Sequence, residues 1–291
     1  MGMDYVFMMD SDSDMPYDLK EKYDIPMVYM PYALDGKEYF DDLGQTLDHK
    51  SYFQRMRAGA VPVTSALNEE TYLEYFDPIL KERDLLFLAF SSKMSSTIQA
   101  VYAAREKLLQ QYPDRKFIVV DSLSISAPLA LLGLKAHEMY RAGAPIEEVA
   151  DWLEKNNLRC HGWFTVDDLK YLKRGGRISP TAADFGAMLD IKPVIMEARD
   201  GTLQSVDKVR GRKKALNTLV DRMMEYEPDP AESMVIILHA DAEEDAKELK
   251  ELCLKKMPSL NIRIDPVGPV IGAHCGPGTL ALTFLGKERK I

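Results

Sequence analysis

Tyr5-Val6-Phe7-Met8-Met9 runs directly into Asp10-Ser11-Asp12-Ser13-Asp14, and this junction decides the fold. A short uncharged apolar run closed by an acid-and-hydroxyl turn reads as a strand with a polar carboxyl end. The same pattern returns twice. Residues 85–90 end at Ser91-Ser92 ahead of an amphipathic helix over about 95–111, and residues 117–120 stop at Asp121-Ser122. Short apolar runs alternating with helical stretches predict a parallel sheet covered by helices. Ligands of open α/β sheets gather outside the carboxyl ends of the strands, where free helix amides favour anions. Three Ser/Asp-rich strand ends converging there would make an anion site, although the same residues also serve as N-caps and turn formers.

Working outward, a chain of 291 residues exceeds what one hydrophobic core usually serves, so two α/β lobes are expected. An amphipathic helix over 147–157 stops at Asn156-Asn157, and the chain then changes character. From Cys160 the pattern predicts a strand, a helix over 166–173, a Gly-rich turn, a helix over 181–189 and a strand over 192–196. Asp200-Gly201 reads as a hairpin turn before a strand at 203–206, which makes the second sheet mixed. Helices at 212–226 and 242–256 and strands at 234–239, 261–266 and 280–284 complete it.

Apolar residues form 46% and charged residues 29% of the chain, as in a globular protein, and the net charge of -9 disfavours polyanionic partners such as nucleic acid. No stretch is long and apolar enough for a transmembrane helix, and Asp4 and Asp10 follow the start without a basic leader, so a cytoplasmic chain is expected. Cys160, Cys253 and Cys275 are odd in number and far apart, which predicts reduced thiols and neither disulfides nor a metal site.

Several segments carry chemistry. Thr64-Ser65 lies between two helical stretches, where it can be an ordinary cap. Ser91, Ser92, Ser95, Ser96 and Thr97 place five hydroxyls in seven residues at a strand-to-helix junction, more than one cap requires. A nucleophilic serine is disfavoured because no G-x-S-x-G elbow surrounds any of them, leaving hydrogen-bond donors as the reading. Arg174, Arg177 and Lys173 surround Gly175-Gly176, and Lys208, Arg210, Arg212, Lys213 and Lys214 form a second basic run. These are solvated faces or a docking surface for an anionic partner. His274, in the turn-rich segment Gly272-Ala273-His274-Cys275-Gly276-Pro277-Gly278, can donate to or balance a carboxylate.

Taken in order, Asp10 to Asp14, Thr64-Ser65, the hydroxyls of 91–97, Asp121-Ser122, the segment 169–179, Ile191-Lys192-Pro193, Gly201 with Lys208-Val209-Arg210, and His274 to Gly278 resemble the DegV family of fatty-acid-binding proteins. The resemblance implies a Rossmann-like N-terminal domain with a parallel sheet over 1–157 and a mixed-sheet α/β domain over 158–291. One long-chain fatty acid would lie in a tunnel between them. It further implies that Thr64, Ser65, Ser92 or Ser95, and His274 bind the carboxylate, that Arg174 supports the head group, and that Arg177 and Arg210 contact a partner. That partner would be a separate fatty acid kinase, which phosphorylates the carboxylate. The chain itself would be a carrier with no catalytic residue, metal or cofactor.

The sequence departs from the family pattern at Ala66-Leu67-Asn68, Ser96, Cys275 and Ser126-Ala127-Pro128, which bears on the chain length or unsaturation preferred. A rival reading is a substrate-binding or phosphotransfer subunit of the dihydroxyacetone kinase type, which needs a small polar pocket. A Rossmann oxidoreductase is disfavoured because no G-x-G-x-x-G follows the first strand.

Overall fold

The computed structural model describes residues 4–178 and 190–291. In the first half lie β1 (Tyr5–Asp10), β2 (Met27–Val28), β3 (Pro31–Leu34), β4 (Lys37–Phe40), β5 (Val63–Thr64), β6 (Asp84–Ala89) and β7 (Phe117–Asp121). Four of these form a parallel sheet in the order β2-β1-β6-β7. Every residue of β1 is buried, and β6 is buried after its first residue. Both faces of this sheet are therefore covered, which explains why its strands read as unbroken apolar runs. Helices Glu69–Leu80, Thr97–Gln111 and Ser126–Arg141 pack on it.

A small antiparallel sheet, β4-β3-β5, pairs Tyr32 with Thr64. The sequence showed only a link between helices at this point, because a two-residue strand leaves no period to detect. Its consequence for the site is large, since the pairing fixes the backbone that carries Thr64.

The second sheet contains β8 (Cys160–Thr165), β9 (Ile191–Glu197), β10 (Leu203–Arg210), β11 (Val235–His239), β12 (Ile262–Pro266) and β13 (Leu280–Leu285), in the order β10-β9-β8-β13-β11-β12. Only β11 and β12 run parallel, so the sheet is mixed as expected. The Asp200-Gly201 turn joins β9 to β10, with Asp200 Oδ1 accepting from the Thr202 amide at 2.9 Å. The helix expected over 166–173 is confined to Lys170–Arg174, because Asp168 accepts from the Lys170 amide at 2.8 Å and starts it late. Ser179 and the helix expected over 181–189 lie outside the described residues.

One apolar cluster runs through the parallel sheet and the inner face of the mixed sheet, and a second, around Trp163, Met196, Leu219 and Phe284, fills the outer face of the mixed sheet. The two halves are also clasped by a buried cation. Arg289 is 0% exposed and donates to Glu197 Oε2 at 3.0 Å, Ser124 Oγ at 2.6 Å and the carbonyls of Leu123, Cys160 and Ala198 at 2.9, 2.8 and 3.0 Å. No helix among the described residues is long and apolar enough to cross a membrane. Cys160, Cys253 and Cys275 are buried and unpaired.

Arg289→Ala leaves the Glu197 carboxylate in the interior without its counter-charge, and removing one partner of such a pair costs about 3–5 kcal/mol. Urea unfolding should register that loss. A change below about 1 kcal/mol would show that the clasp contributes little beyond the surface pairs.

Candidate functional site

Between the carboxyl ends of the parallel strands and the inner face of the mixed sheet lies a cavity with about 160 Å³ of room for the centres of water-sized spheres. A single water needs about 10–15 Å³ on that measure, so the cavity accommodates roughly a dozen groups of water or methylene size. Met30, Phe90, Phe164, Leu172, Leu203 and Val270 dominate its wall. On the mixed sheet the strand register sets which residues face inward. Ala281 pairs with Phe164 and Thr283 with Gly162, and all four line the cavity.

Polar side chains gather at one end. Thr64 Oγ1 and His274 Nε2 lie 2.8 Å apart, Ser95 Oγ and Thr97 Oγ1 lie 2.6 Å apart, and the Thr97 amide donates to Ser95 Oγ at 3.2 Å. Thr64, Ser65, Ser95, Ser96, Thr97, Arg177 and His274 all line this end, where Ser65 and Ser96 reach the surface. Helix Thr97–Gln111 begins at the same place, with no side-chain cap bond from Ser96, and so brings the positive end of its dipole there. Burial, with Arg177 and Arg174 nearby, lowers the His274 ring to about 4, so it is neutral at physiological pH. The site thus offers hydroxyls, amides and a neutral imidazole, with one guanidinium at its edge. That set suits a single carboxylate.

His274 was expected in a loop and instead occupies the last turn of helix Pro269–Cys275, with the Gly-Pro turn following. The helix places Val270, Ile271 and His274 on the cavity wall together. Gly175 has a specific role here. A Cβ at this position would collide with His274 Nδ1, so the glycine allows the Lys170–Arg174 helix to close on the imidazole, and no phosphate need be invoked.

The acid run after β1 is not the anion site that its strand-end position predicted. Asp10, Asp12, Asp14 and Asp41 are all buried. Burial raises Asp10 and Asp14 to about 7, and burial reinforced by mutual repulsion raises Asp12 and Asp41 well above the carboxylate range. Their role is architectural at two points. Asp14 accepts from Ser126 Oγ at 2.5 Å and from the Gly268 amide at 3.0 Å, anchoring the residue that starts the His274 helix. Asp10 accepts from the Phe90 amide at 3.2 Å.

Three further expectations change. Ser92 does not line the cavity: its amide donates to Asp121 Oδ1 at 3.2 Å, and the turn held by Ser91 Oγ on the Gly201 carbonyl at 2.9 Å brings Ser95 inward in its place. Arg177, expected on an outward docking surface, is half-buried in the cavity wall and donates to the Met94 carbonyl at 3.3 Å and to that of Gly175. Arg174 is exposed and stacks over Tyr171 at 5.3 Å, outside the lining. Arg210 is exposed at the end of edge strand β10, away from the cavity. Sequence reasoning missed Glu197 and Thr283 as lining residues, whereas Thr97 belongs to the hydroxyl run it had singled out. The departures Ala66, Ser96, Ser126, Pro128 and Cys275 all lie in the wall, whereas Asn68 caps helix Glu69–Leu80 by accepting from the Thr71 amide at 2.9 Å.

A parallel and a mixed sheet enclosing a largely apolar cavity with a hydroxyl-and-imidazole rim define an α/β protein with a site suited to an amphipathic ligand. The sequence profile of the DegV family, described as uncharacterised proteins, matches residues 6–287. A DegV domain-containing protein of Clostridium perfringens is 38% identical over 288 residues, spanning 98% of this chain and 99% of its own length. Among solved structures, a fatty-acid-binding DegV family protein from Thermus thermophilus superposes with a TM-score of 0.86 at 28% identity, covering 98% of this chain and all of that one. A stearic-acid-binding protein from Eubacterium ventriosum superposes at 0.84 and 26% identity, covering 97% of this chain and 98% of that one. The chain belongs to the DegV family.

The His274 ring should titrate near 4 in place of the ordinary 6.5. Because the unfolded ring takes up a proton that the native ring refuses, stability falls as pH drops from about 6.5 to about 4. His274→Gln removes that part of the slope. Ring ¹⁵N shifts followed through the titration test the assignment, and a midpoint above 6 would sink it.

Proposed function

We propose that this protein holds one long-chain fatty acid, with its carboxylate at Thr64, Ser65 and Ser95, the Thr64 hydroxyl oriented by His274, and its tail along the apolar wall. The observation that carries this reading is the Thr64–His274 hydrogen bond at the hydroxyl-rich end of an otherwise apolar cavity. Each buried methylene contributes about 0.8 kcal/mol, so a tail of about a dozen supplies a gross driving force on the order of 10 kcal/mol before ordering costs. A buried carboxylate left unpaired would cancel that gain, which is why the donors must stand together at one end. With Nε2–H of neutral His274 donating to Thr64 Oγ1, the threonine O–H is free to donate to the ligand. Helix amides and the Arg177 charge support the same oxygens. The fatty acids bound by the Thermus thermophilus and Eubacterium ventriosum relatives agree with this reading.

In this reading the protein is a cytoplasmic carrier without catalysis of its own, and a separate fatty acid kinase receives the carboxylate at the mouth beside Ser65 and Ser96. Arg210, exposed on the edge strand, is the remaining candidate for contact with that kinase. The mainly apolar lining disfavours a dihydroxyacetone-type site, which would need polar groups throughout.

Thr64→Ala combined with Ser95→Ala should lower the fatty acid retained on purification at least about tenfold, as expected for two lost charge-assisted hydrogen bonds, without lowering the melting temperature appreciably. Native mass spectrometry reads the bound mass, and wild-type retention by the double variant would refute the carboxylate assignment. Arg210→Glu should leave lipid retention intact and slow acyl-phosphate formation in a reconstituted kinase assay. Unchanged turnover removes Arg210 from the docking surface.

A further inference from the structure

Two polar side chains in the cavity wall are not used by the carboxylate end. Asp12 is 4% exposed and Thr283 is 0% exposed; Asp12 Oδ1 and Thr283 Oγ1 have no hydrogen-bond partner among the described residues, and both residues line the cavity. The other polar groups nearby are already committed. Ser126 is bonded to Asp14, Glu197 to Arg289 and the Ile125 amide, and Thr279 Oγ1 to the carbonyls of Cys275 and Gly276.

Both free groups lie deep. Helix Pro269–Cys275 is about 10 Å long at 1.5 Å per residue. His274 stands in its last turn, while the acid turn containing Asp12 meets its first residues through the Asp14 bond to Gly268. On the facing sheet, Thr279 bonds the end of the helix beside His274, and Thr283 lies four residues further along, about 13 Å at the rise of a strand. Both also flank the first turn of helix Ser126–Arg141: Asp12 is two residues from Asp14, which holds Ser126, and Thr283 pairs with Gly162, where a Cβ would come within 2.9 Å of Pro128 Cγ, so the two groups stand beside one another along the tail and away from the head group. A plain hydrocarbon drawn past them excludes water and leaves both unsatisfied, and buried polar groups are rarely left so.

We propose that the cavity is built to take an acyl chain carrying a hydroxyl or keto oxygen part-way along its length, bonded by Asp12 and Thr283. The inference rests on the fatty-acid reading above and names the substrate class within it. The Asp12 carboxyl, kept protonated by its dry and acid-crowded surroundings, can both donate and accept, as can the Thr283 hydroxyl. A hydroxyl on the ligand can satisfy both in either direction. A site with buried polar partners rejects the analogue that lacks their complement.

Competition binding on delipidated protein, with stearic acid against monohydroxystearic acids substituted at successive mid-chain carbons, tests this. At least one isomer should bind about tenfold more tightly than stearic acid, the effect of one rescued hydrogen bond. Thr283→Val and Asp12→Leu should each tighten stearic acid and weaken that isomer, narrowing the preference to about twofold. Thr283→Val is nearly isosteric and carries the test alone if a melt shows Asp12→Leu to be unfolded. Stearic acid binding wild type as tightly as every hydroxylated isomer, or a preference untouched by the substitutions, overturns the proposal. Failure of stearic acid and every isomer to bind would instead overturn the fatty-acid reading itself.

Discussion

A guanidinium with no exposed surface holds the two sheets against each other. Burying Arg289 is costly unless every donor is met, and the groups that meet them come from both halves: Leu123 and Ser124 after β7, Cys160 in β8, Glu197 and Ala198 at the end of β9. Such a set is satisfied in one arrangement of the sheets and not in its neighbours. Glu197 also accepts from the Ile125 amide at 3.3 Å, and both Ile125 and Glu197 line the cavity. The cavity's width is thus set by an ion pair at its side. Close packing completes the effect, because a Cβ added at Gly162 would come within 2.8 Å of Glu197 Oε1 and 2.9 Å of Pro128 Cγ.

Within that frame the buried acids and the imidazole follow from one electrostatic rule. An interior that excludes water favours neutral forms, so the carboxyls of Asp12 and Asp41 are pushed well above the carboxylate range, those of Asp10 and Asp14 rise to about 7, and His274 gives its proton up. The acids therefore carry less negative charge than four ionised carboxylates would, and the imidazole carries no full positive one. The rim offers hydrogen-bonding groups in place of a full charge, and a short helix tied down at Gly268 by Asp14 carries His274 to it.

Much of this was legible in the residues. Strands such as β1, β6 and β7 announce themselves as uncharged runs closed by Ser and Asp, because both faces of a parallel sheet are covered. The mixed character of the second sheet followed from one Asp-Gly turn. His274 stood out by type and setting, Thr64 was singled out only by the family resemblance, and Ser95 entered only as the alternative to Ser92; the helix face shared by Val270, Ile271 and His274 was present in the spacing, masked by the glycines around it. What spacing cannot encode is direction. Ser92 and Ser95 differ only in how Ser91 and Asp121 fold the loop between strand and helix. Arg177 turned inward after a turn at Gly176, whose φ of +70° favours glycine, and the acid run changed meaning from anion site to buried framework once its burial was known. Thr283 was hidden for the opposite reason, since one hydroxyl in an apolar strand carries no periodic signal.

The pairing of β8 with β13 joins Cys160 to Leu285 and Thr165 to Leu280, partners more than a hundred residues apart in the chain. Closing so long a loop is entropically costly before any contact offsets it, and chains dominated by such distant pairings fold slowly. The β1–β6 and β6–β7 ladders of the parallel sheet close shorter loops, so loop-closure entropy favours that sheet over the centre of the mixed one early in folding. Until that last pairing is made, the wall bearing Phe164, Ala281 and Thr283 does not exist. The receptacle is complete only when the two ends of the second half of the chain have met across the mixed sheet.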